Sequence, residues 1–177
     1  MRIKTILFCL LFFTLSFNFL HGKVKKRKAP DFSLYDLDKK VHRLSQKEYK
    51  GKIMILNFFA TWCPPCRMEI PDFVEFYKKN ESRDVRLVGI CLDADNTARI
   101  KKFVKNYEIN YPVLVGTRKV VEDYDGVNAI PTTFIIDDKG MIVDKIVGFT
   151  RKELLQAKID DMIKIKESQD GKKKKKE

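Results

Sequence analysis

The sequence is poor in residues that bind zinc, with four cysteines and two histidines among 177 residues. Only Cys63 and Cys66 form a close pair, and the other candidate ligands, Cys91, His42 and His21, provide no second pair. A structural zinc site needs four ligands in a tetrahedral arrangement. We therefore expect no metal and no cofactor. We expect Cys91 to be an inert core residue and His42 to lie at the surface.

The central part of the chain has little net charge. Of the total of +12, two charges come from Arg2 and Lys4, five from residues 23–28 and a net four from residues 172–177. About +1 is left for residues 29–171. A nucleic-acid-binding domain carries its positive charge on its folded surface, so we expect no nucleic acid partner. We interpret residues 23–28 as a basic linker and residues 168–177 as a disordered, lysine-rich tail.

An uncharged apolar run of 16 residues, positions 5–20, follows the basic start of the chain. Its length lies between the core of a signal peptide and a full membrane span. We predict that residues 1–22 are a signal peptide or membrane anchor, and that the protein is exported, periplasmic or anchored on the extracytoplasmic side of a membrane. The basic residues that follow the run go against the positive-inside rule, and removal of the segment stays open.

Residues 29–167 have the alternating pattern of one α/β domain. The runs "KIMILNFFA" and "DVRLVGICLD" are typical of central strands that are covered on both faces. The predicted order is two short strands around a turn at 38–40, then strand, helix, strand, helix. The segment "YPVLVG" and a short helix at "KVVEDYD" follow, and then a hairpin with its turn at 137–140 and a helix from about residue 151. This order predicts a mixed central sheet with helices on both faces and an N-terminal β extension. Two helices have apolar faces, formed by Ile100, Phe103, Val104 and Tyr107 and by Leu155, Ile159, Met162 and Ile163.

The stretch "ATWCPPCRMEIP" places the cysteine pair where a buried strand ends and a helix begins. Cys63 then lies at the helix N-terminus, where free N–H groups and the helix dipole favour a thiolate. Pro64 and Pro65 are tolerated in a first turn, and they withhold N–H donors from Cys63. Cys66 lies one turn further and is placed to resolve a mixed disulfide. We interpret the pair as redox-active, because a structural disulfide around so small a loop would constrain the unfolded chain little.

The segments "FFATWCPPCRMEIP" and "AIPTTFIID", with "APDFSL" before them, resemble the thioredoxin superfamily, and most closely its exported TlpA/ResA-like branch, which is related to the AhpC/TSA redoxins. The resemblance implies a thioredoxin-like three-layer sandwich. It also implies that Pro131 is cis and packs beside the disulfide, and that the backbone before it, at Ile130, pairs with the bound client chain. Trp62 would either flank the exposed sulfur or be an ordinary core aromatic residue.

The chain departs from many thioredoxins in the strand before the motif. Where they have a buried aspartate that accepts a proton, this chain has Asn57, as is common in the TlpA/ResA-like branch. The resemblance offers Glu69, three residues after Cys66, as the proton acceptor, and the alternative is a solvated helix glutamate. The stretch "NAIPTTF" differs from the pattern of cytochrome-maturation thioredoxins, so dedicated apocytochrome reduction is not indicated.

These features predict a thiol-disulfide oxidoreductase that reduces disulfides of exported client proteins. The resemblance implies recharging by a membrane electron donor of the DsbD/CcdA type and allows membrane anchoring. One alternative is a peroxiredoxin-like thiol peroxidase, which wants a threonine where this chain has Ala60. Another is a disulfide donor. The intact cysteine pair argues against a binding module without catalysis.

Overall fold

The structure, a computed structural model, describes residues 26–93 and 95–174, with side chains described up to residue 168. Apart from a short strand at the start of the described residues, the strands and helices follow one another in the predicted order. The strands are β1 (Arg27–Lys28), β2 (Ser33–Tyr35), β3 (Val41–Arg43), β4 (Ile53–Phe59), β5 (Val85–Cys91), β6 (Val113–Val115), β7 (Thr132–Ile136) and β8 (Met141–Val147). The helices are α1 (Pro64–Asn80), α2 (Thr97–Asn106), α3 (Arg118–Asp123) and α4 (Lys152–Lys174).

Six of these strands form one mixed sheet in the order β1-β8-β7-β4-β5-β6. The pairs β4–β5 and β5–β6 are parallel, and β4–β7, β7–β8 and β1–β8 are antiparallel. The short strands β2 and β3 pair separately as an antiparallel extension. The predicted α/β fold class, a mixed sheet with helices and an N-terminal β extension, is confirmed.

The sheet separates two core layers, because successive side chains of a strand point to opposite faces. One layer contains Phe73 and Phe76 of α1, and helices α2 and α4 pack against the same face. The other layer contains Phe32 and Val120, from the N-terminal extension and α3. Every residue of β4 is buried, and each fully buried large apolar side chain contributes about 1.5–3 kcal/mol. β4 supplies Ile53, Ile55 and Phe59 to the first layer and Met54, Leu56 and Phe58 to the second.

The two helical faces predicted from periodicity pack as expected. Ile100 and Phe103 are buried on α2, and Leu155 and Ile159 on α4. The remaining predicted positions are partly buried against the same layer, namely Val104, Tyr107, Met162 and Ile163.

At both ends of the described residues, regular secondary structure extends further than the sequence suggests. Residues 27 and 28, interpreted as part of a basic linker, form β1, whose backbone pairs with Met141 and Ile142 of β8. Strand pairing uses only the backbone, so exposed basic side chains do not prevent it. Helix α4 continues to Lys174, where we expected a disordered tail from residue 168. Extending an existing helix is far easier than starting one, and lysine, glutamate and glutamine are good helix formers.

The prediction that His42 lies at the surface is wrong, since its side chain is buried. Its Nδ1 atom lies 2.9 Å from the Tyr49 hydroxyl and its Nε2 atom 2.9 Å from Asp36 Oδ2. Buried polar groups are tolerated when they have such partners, and the alternation of β3 turns His42 inward.

Within the described residues, no helix combines the length and the apolar character needed to cross a bilayer. The apolar run at 5–20, on which the prediction of export depends, lies outside those residues.

Candidate active site

The cysteine pair lies where the central strand passes into α1. Residues 60–63 follow the end of β4, and Cys63 has the extended backbone of a helix N-cap, with φ −83° and ψ 113°. Its Sγ atom accepts a hydrogen bond from the Cys66 N–H at 3.3 Å. Pro64 and Pro65 occupy the first helical positions, where a missing N–H costs little. The Cys66 N–H therefore reaches the Cys63 sulfur past two prolines that have no N–H to donate.

The two sulfurs are joined in a disulfide bond, with an Sγ–Sγ distance of 2.09 Å and a Cα–Cα distance of 5.3 Å. Cys66 is fully buried, whereas Cys63 keeps 3% of its surface exposed. Trp62, directly before the pair, is 63% exposed. Of the two interpretations of Trp62, the core aromatic residue is therefore wrong, and the indole lies at the surface next to Cys63.

A second segment approaches the disulfide from the start of β7. The peptide bond between Ile130 and Pro131 is cis, as the resemblance implies, and the Ile130 carbonyl oxygen lies 3.8 Å from Cys63 Sγ. The Thr132 hydroxyl donates to the Ala129 carbonyl at 2.7 Å, and the Gly148 N–H donates to the Pro131 carbonyl at 2.8 Å. These bonds hold the Ile130–Pro131 segment beside Cys63.

Glu69 lies on the buried face of α1, so the alternative of a solvated helix glutamate is wrong. Its Oε1 atom accepts from Asn57 Nδ2 at 2.8 Å, and its Oε2 atom accepts from the Thr150 N–H at 3.1 Å. Burial raises the pKa of Glu69 to about 7, and the bonds from Asn57 and Thr150 partly offset this rise. A carboxyl group with such a pKa can accept and release a proton at neutral pH.

The loop before Cys63 is held by contacts that the sequence did not predict. The Asp93 carboxylate, which follows β5, accepts from both the N–H and the hydroxyl of Thr61. Arg99 places its Nε atom 3.4 Å from the same carboxylate oxygen, and Arg67 Nε donates to the Thr61 carbonyl at 2.7 Å. The sequence did contain a signal for this contact. Asp93 follows β5 and the cysteine pair follows β4, and residues that follow two parallel strands lie at the same edge of the sheet.

An apolar rim, which was also missed, adjoins the Ile130–Pro131 segment that approaches the disulfide. Val147, at the end of β8, pairs with Thr132, directly after Pro131, and is 59% exposed. Phe149 follows Gly148, whose N–H bonds Pro131, and is 41% exposed. Their positions in the sequence give no sign of this exposure, because only the pairing of β8 with β7 brings them to the site.

The third described cysteine lies apart from this chemistry. Cys91 is a free thiol, fully buried in β5, and burial raises its pKa to about 12. Among the described residues, no group of three or more histidine, cysteine, aspartate or glutamate side chains is arranged to hold a metal ion.

Comparison with known proteins places these features in a family context. The chain matches the AhpC/TSA family over residues 26–145. It is 41% identical over 150 residues to a thiol-disulfide oxidoreductase ResA of Bacillus cereus, a match that covers 81% of this chain and 83% of that protein. The ResA of Bacillus subtilis (strain 168) is 34% identical over 157 residues, with 86% of each chain covered.

Solved structures with similar folds include the following two proteins. The thiol:disulfide interchange protein of the thioredoxin family from Chlorobium tepidum TLS superposes with a TM-score of 0.68 and 36% identity, over 81% of this chain and 98% of that one. StoA from Bacillus subtilis superposes with a TM-score of 0.63 and 27% identity, over 73% of this chain and 96% of that one. Both sequence and fold therefore relate the chain to thiol–disulfide exchange proteins.

Proposed function

This chain belongs to the AhpC/TSA family and is a thiol-disulfide oxidoreductase with a thioredoxin fold, and from that premise we propose that it reduces disulfide bonds of exported client proteins through Cys63 and Cys66. The observation that carries the proposal is the bond between these two sulfurs at the N-terminus of α1, with Glu69 buried one turn beyond. A sulfur at a helix N-terminus is favoured as a thiolate, which is the form that attacks disulfides.

In the proposed cycle the reduced pair gives two electrons to one client disulfide. The Cys63 thiolate attacks a client sulfur, so a Cys63–client disulfide forms, the client S–S bond breaks and one client thiolate leaves. Cys66 then attacks Cys63 Sγ, which releases the second client sulfur and closes the Cys63–Cys66 bond. The proton that Cys63 lost on forming the thiolate and the proton that Cys66 loses when it attacks balance the two protons taken up by the two client thiolates.

Glu69 is the proposed acceptor for the proton of Cys66. Cys66 is fully buried, so its proton needs a nearby acceptor when it attacks. Glu69 lies three residues later on α1, and residues at this spacing are neighbours on a helix surface. Its pKa, raised by burial to about 7, suits an exchange with a thiol at neutral pH.

The client chain is proposed to bind across the exposed side of the pair. The backbone at Ile130, beside cis-Pro131 and close to Cys63 Sγ, would pair with the extended client chain. Trp62 and the apolar rim formed by Val147 and Phe149 are exposed around it. Apolar side chains of the client can cover these groups and remove their surface from water.

Reduction of clients leaves the pair oxidised, so a reductant must recharge it. We propose an extracytoplasmic location and a membrane dithiol donor of the DsbD/CcdA type, which would return two electrons by the same exchange in reverse. Support comes from the apolar run at 5–20, whose length suits a signal peptide or a membrane anchor. The basic residues after it remain an argument against export.

Trapping of client intermediates tests the assignment of the two sulfurs. Cys66→Ala should accumulate mixed disulfides with a disulfide-bearing client through Cys63, because no resolving thiol remains. Cys63→Ala should accumulate none. Equal trapping by both variants, seen on non-reducing gels, would reverse or abolish the assignment.

Three further measurements test the reaction and its direction. The protein should reduce insulin disulfides and should not consume hydrogen peroxide. Consumption of peroxide would instead support a thiol peroxidase. The two prolines withhold donors from the Cys63 thiolate, so the reduced form is only modestly stabilised. The potential should lie nearer thioredoxin's roughly −270 mV than the roughly −120 mV of a strong oxidant. Equilibration with dithiothreitol followed by Trp62 fluorescence measures it, and a value near −120 mV would make the protein a disulfide donor.

A further inference from the structure

Two buried polar atoms near Glu69 have no hydrogen-bond partner among the described residues, and the proposed cycle does not use them. They are the Oδ1 atom of Asn57 and the hydroxyl of Tyr111. Leaving a buried polar group without a partner is costly, and a native structure contains few such groups. Two of them within one core layer require an explanation.

Asn57 connects directly to the proposed proton acceptor. It lies in the middle of β4, and its Nδ2 atom donates to Glu69 Oε1 at 2.8 Å and to the Thr133 hydroxyl at 3.2 Å. Its donors are therefore engaged and its acceptor is not. Any donor that reaches Asn57 Oδ1 would polarise the amide and strengthen the bond to Glu69, because hydrogen bonds in a chain reinforce one another.

A glycine makes room for the tyrosine ring in the layer to which this amide points. Gly89 of β5 is the register partner of Asn57, and a Cβ atom added there would stand 3.3 Å from Tyr111 Cε2 and 3.0 Å from Phe59 Cε1. The missing side chain thus leaves space that the ring of Tyr111 fills. Paired residues of neighbouring strands point to the same face of a sheet, so Tyr111 and the Asn57 side chain share one layer.

The charge of Glu69 also acts on Tyr111. Burial raises the pKa of Tyr111, and the negative charge of Glu69 raises it further. The hydroxyl therefore stays protonated throughout the cycle and remains a donor. The titratable groups around Glu69 are Cys66 on its own helix and Tyr111 before β6. The elements β4 and β7 and the loop before α4 contribute only the neutral groups of Asn57, Thr133 and Thr150.

We propose that one internal water molecule joins the Tyr111 hydroxyl to Asn57 Oδ1, and that Tyr111 is thereby a positioning residue for proton transfer at Glu69. The two atoms are not bonded directly, and a buried water needs two to four polar partners, which these groups supply. The hydroxyl donates to the water, the water donates to Asn57 Oδ1, and Asn57 Nδ2 donates to the carboxylate. Tyr111 transfers no proton itself. It stabilises ionised Glu69 through Asn57 and so assists removal of the proton from Cys66.

This inference deepens the proposed function and rests on Glu69 as the proton acceptor. Its test uses the full-length protein with Tyr111→Phe, which removes one oxygen atom and keeps the ring in place. Tyr124→Phe is the matched control, because the Tyr124 ring is also fully buried but lies in the other core layer, and its hydroxyl donates to the Pro30 carbonyl at 2.8 Å. A carbon-13 NMR titration of the Glu69 carboxyl group gives the midpoint of its ionisation.

We expect Tyr111→Phe to raise this midpoint by about 0.5–1 pH unit, a roughly three- to tenfold change in the acid constant, and Tyr124→Phe to leave it unchanged. The pH at which a Cys63–client mixed disulfide resolves at half its maximal rate should rise by the same amount. An unchanged midpoint in Tyr111→Phe, or an equal shift in Tyr124→Phe, overturns the inference.

The variant Glu69→Gln separates this inference from the proposed function. If the pH profile of resolution is the same in Glu69→Gln as in the wild type, Glu69 is not the acceptor and that part of the proposed function fails. The NMR midpoint in Tyr111→Phe still decides the link between Tyr111, Asn57 and Glu69, because it is read from the carboxyl group and not from the rate.

Discussion

Two carboxylates lie buried at the active-site end of this molecule, and their partners differ in kind. Among the described residues, Glu69 receives hydrogen bonds only from neutral groups, the Asn57 amide and the Thr150 N–H. Asp93 receives bonds from the N–H and hydroxyl of Thr61 and lies 3.4 Å from the cationic Arg99 guanidinium. Both residues are almost entirely buried.

The difference shows how similar chemical groups acquire different tasks from their surroundings. Neutral donors offset only part of the cost of burying a charge, so the pKa of Glu69 rises to about 7 and the group suits proton exchange. Asp93 instead forms an ion pair with Arg99 of α2 and accepts hydrogen bonds from the N–H and hydroxyl of Thr61, in the loop that precedes Cys63. Its contacts suit a structural task, holding that loop at the end of β4.

The largest effect is expected from removing the structural carboxylate. Asp93→Ala leaves the buried N–H and hydroxyl of Thr61 without an acceptor and should lower the free energy of unfolding by about 3–4 kcal/mol. Urea denaturation at pH 7 measures it. Asp93→Asn keeps an acceptor oxygen and should lose less than the alanine variant. If Asp93→Ala is as stable as the wild type, Asp93 does not hold the loop.

A pH-dependent effect of roughly 3 kcal/mol is expected at Glu69. Its pKa is about 7 in the folded protein and 4.5 ordinarily, so between these values the folded state binds a proton that the unfolded chain has released. The wild type therefore loses stability as pH rises from about 4.5 to 7, and each pKa unit corresponds to about 1.4 kcal/mol.

Glu69→Gln lacks this ionisation, so its stability relative to the wild type should increase by roughly 3 kcal/mol between pH 4.5 and pH 8. Urea denaturation across that range checks it. Glu75→Gln, at an exposed position of the same helix, is the control and should show no comparable trend. A flat difference for Glu69→Gln would remove the contrast between the two carboxylates.

A smaller effect is expected from the hydroxyl that joins the loop to Asp93. Thr61→Val keeps the shape of the side chain but removes the donor to Asp93, and should lower the free energy of unfolding by about 1–2 kcal/mol. Thr61→Ser keeps the hydroxyl and should lose less. Thermal unfolding of the three proteins at one pH compares them, and a loss in Thr61→Ser as large as that in Thr61→Val would show that the hydroxyl is not the main contribution of Thr61.

The smallest effect is expected far from both carboxylates. Truncation after Asp170 removes residues 171–177, beyond the last α4 side chains that pack against the core, Met162 and Ile163. Stability should change by less than about 0.5 kcal/mol, and the rate of insulin reduction should not change. A measurable loss of either would show that the end of α4 has a contact or a role of its own.

Much of the fold could be predicted because its signals are local. The apolar runs of β4 and β5 and the helical spacing of Ile100 and Phe103 each lie within about ten residues, and each element has the predicted type. The two ends of the chain were less predictable. The pairing of Arg27 and Lys28 with β8 depends on a strand more than a hundred residues away, and composition alone said nothing of it.

The cysteine pair could be predicted for the same reason as the strands. The strand, the two cysteines with the two prolines between them, and the helix are neighbours in the sequence. The sequence left two interpretations of Trp62, because the exposure of a single aromatic residue cannot be predicted from a repeating pattern. His42 was placed wrongly, because its partner Asp36 becomes a neighbour only when β2 and β3 pair. Its other partner, Tyr49, comes from the turns after β3.

The sequence by itself thus determined the order of elements and the position of Cys63 and Cys66 at a helix N-terminus, because hydrophobic period and helix capping act over a few residues. Only the tertiary structure decided that Glu69 is buried with a raised pKa. Thr150, which donates to it, lies 81 positions away, and Asn57 reaches it from the neighbouring strand. Desolvation depends on everything that surrounds a group, and no local pattern of residues encodes it.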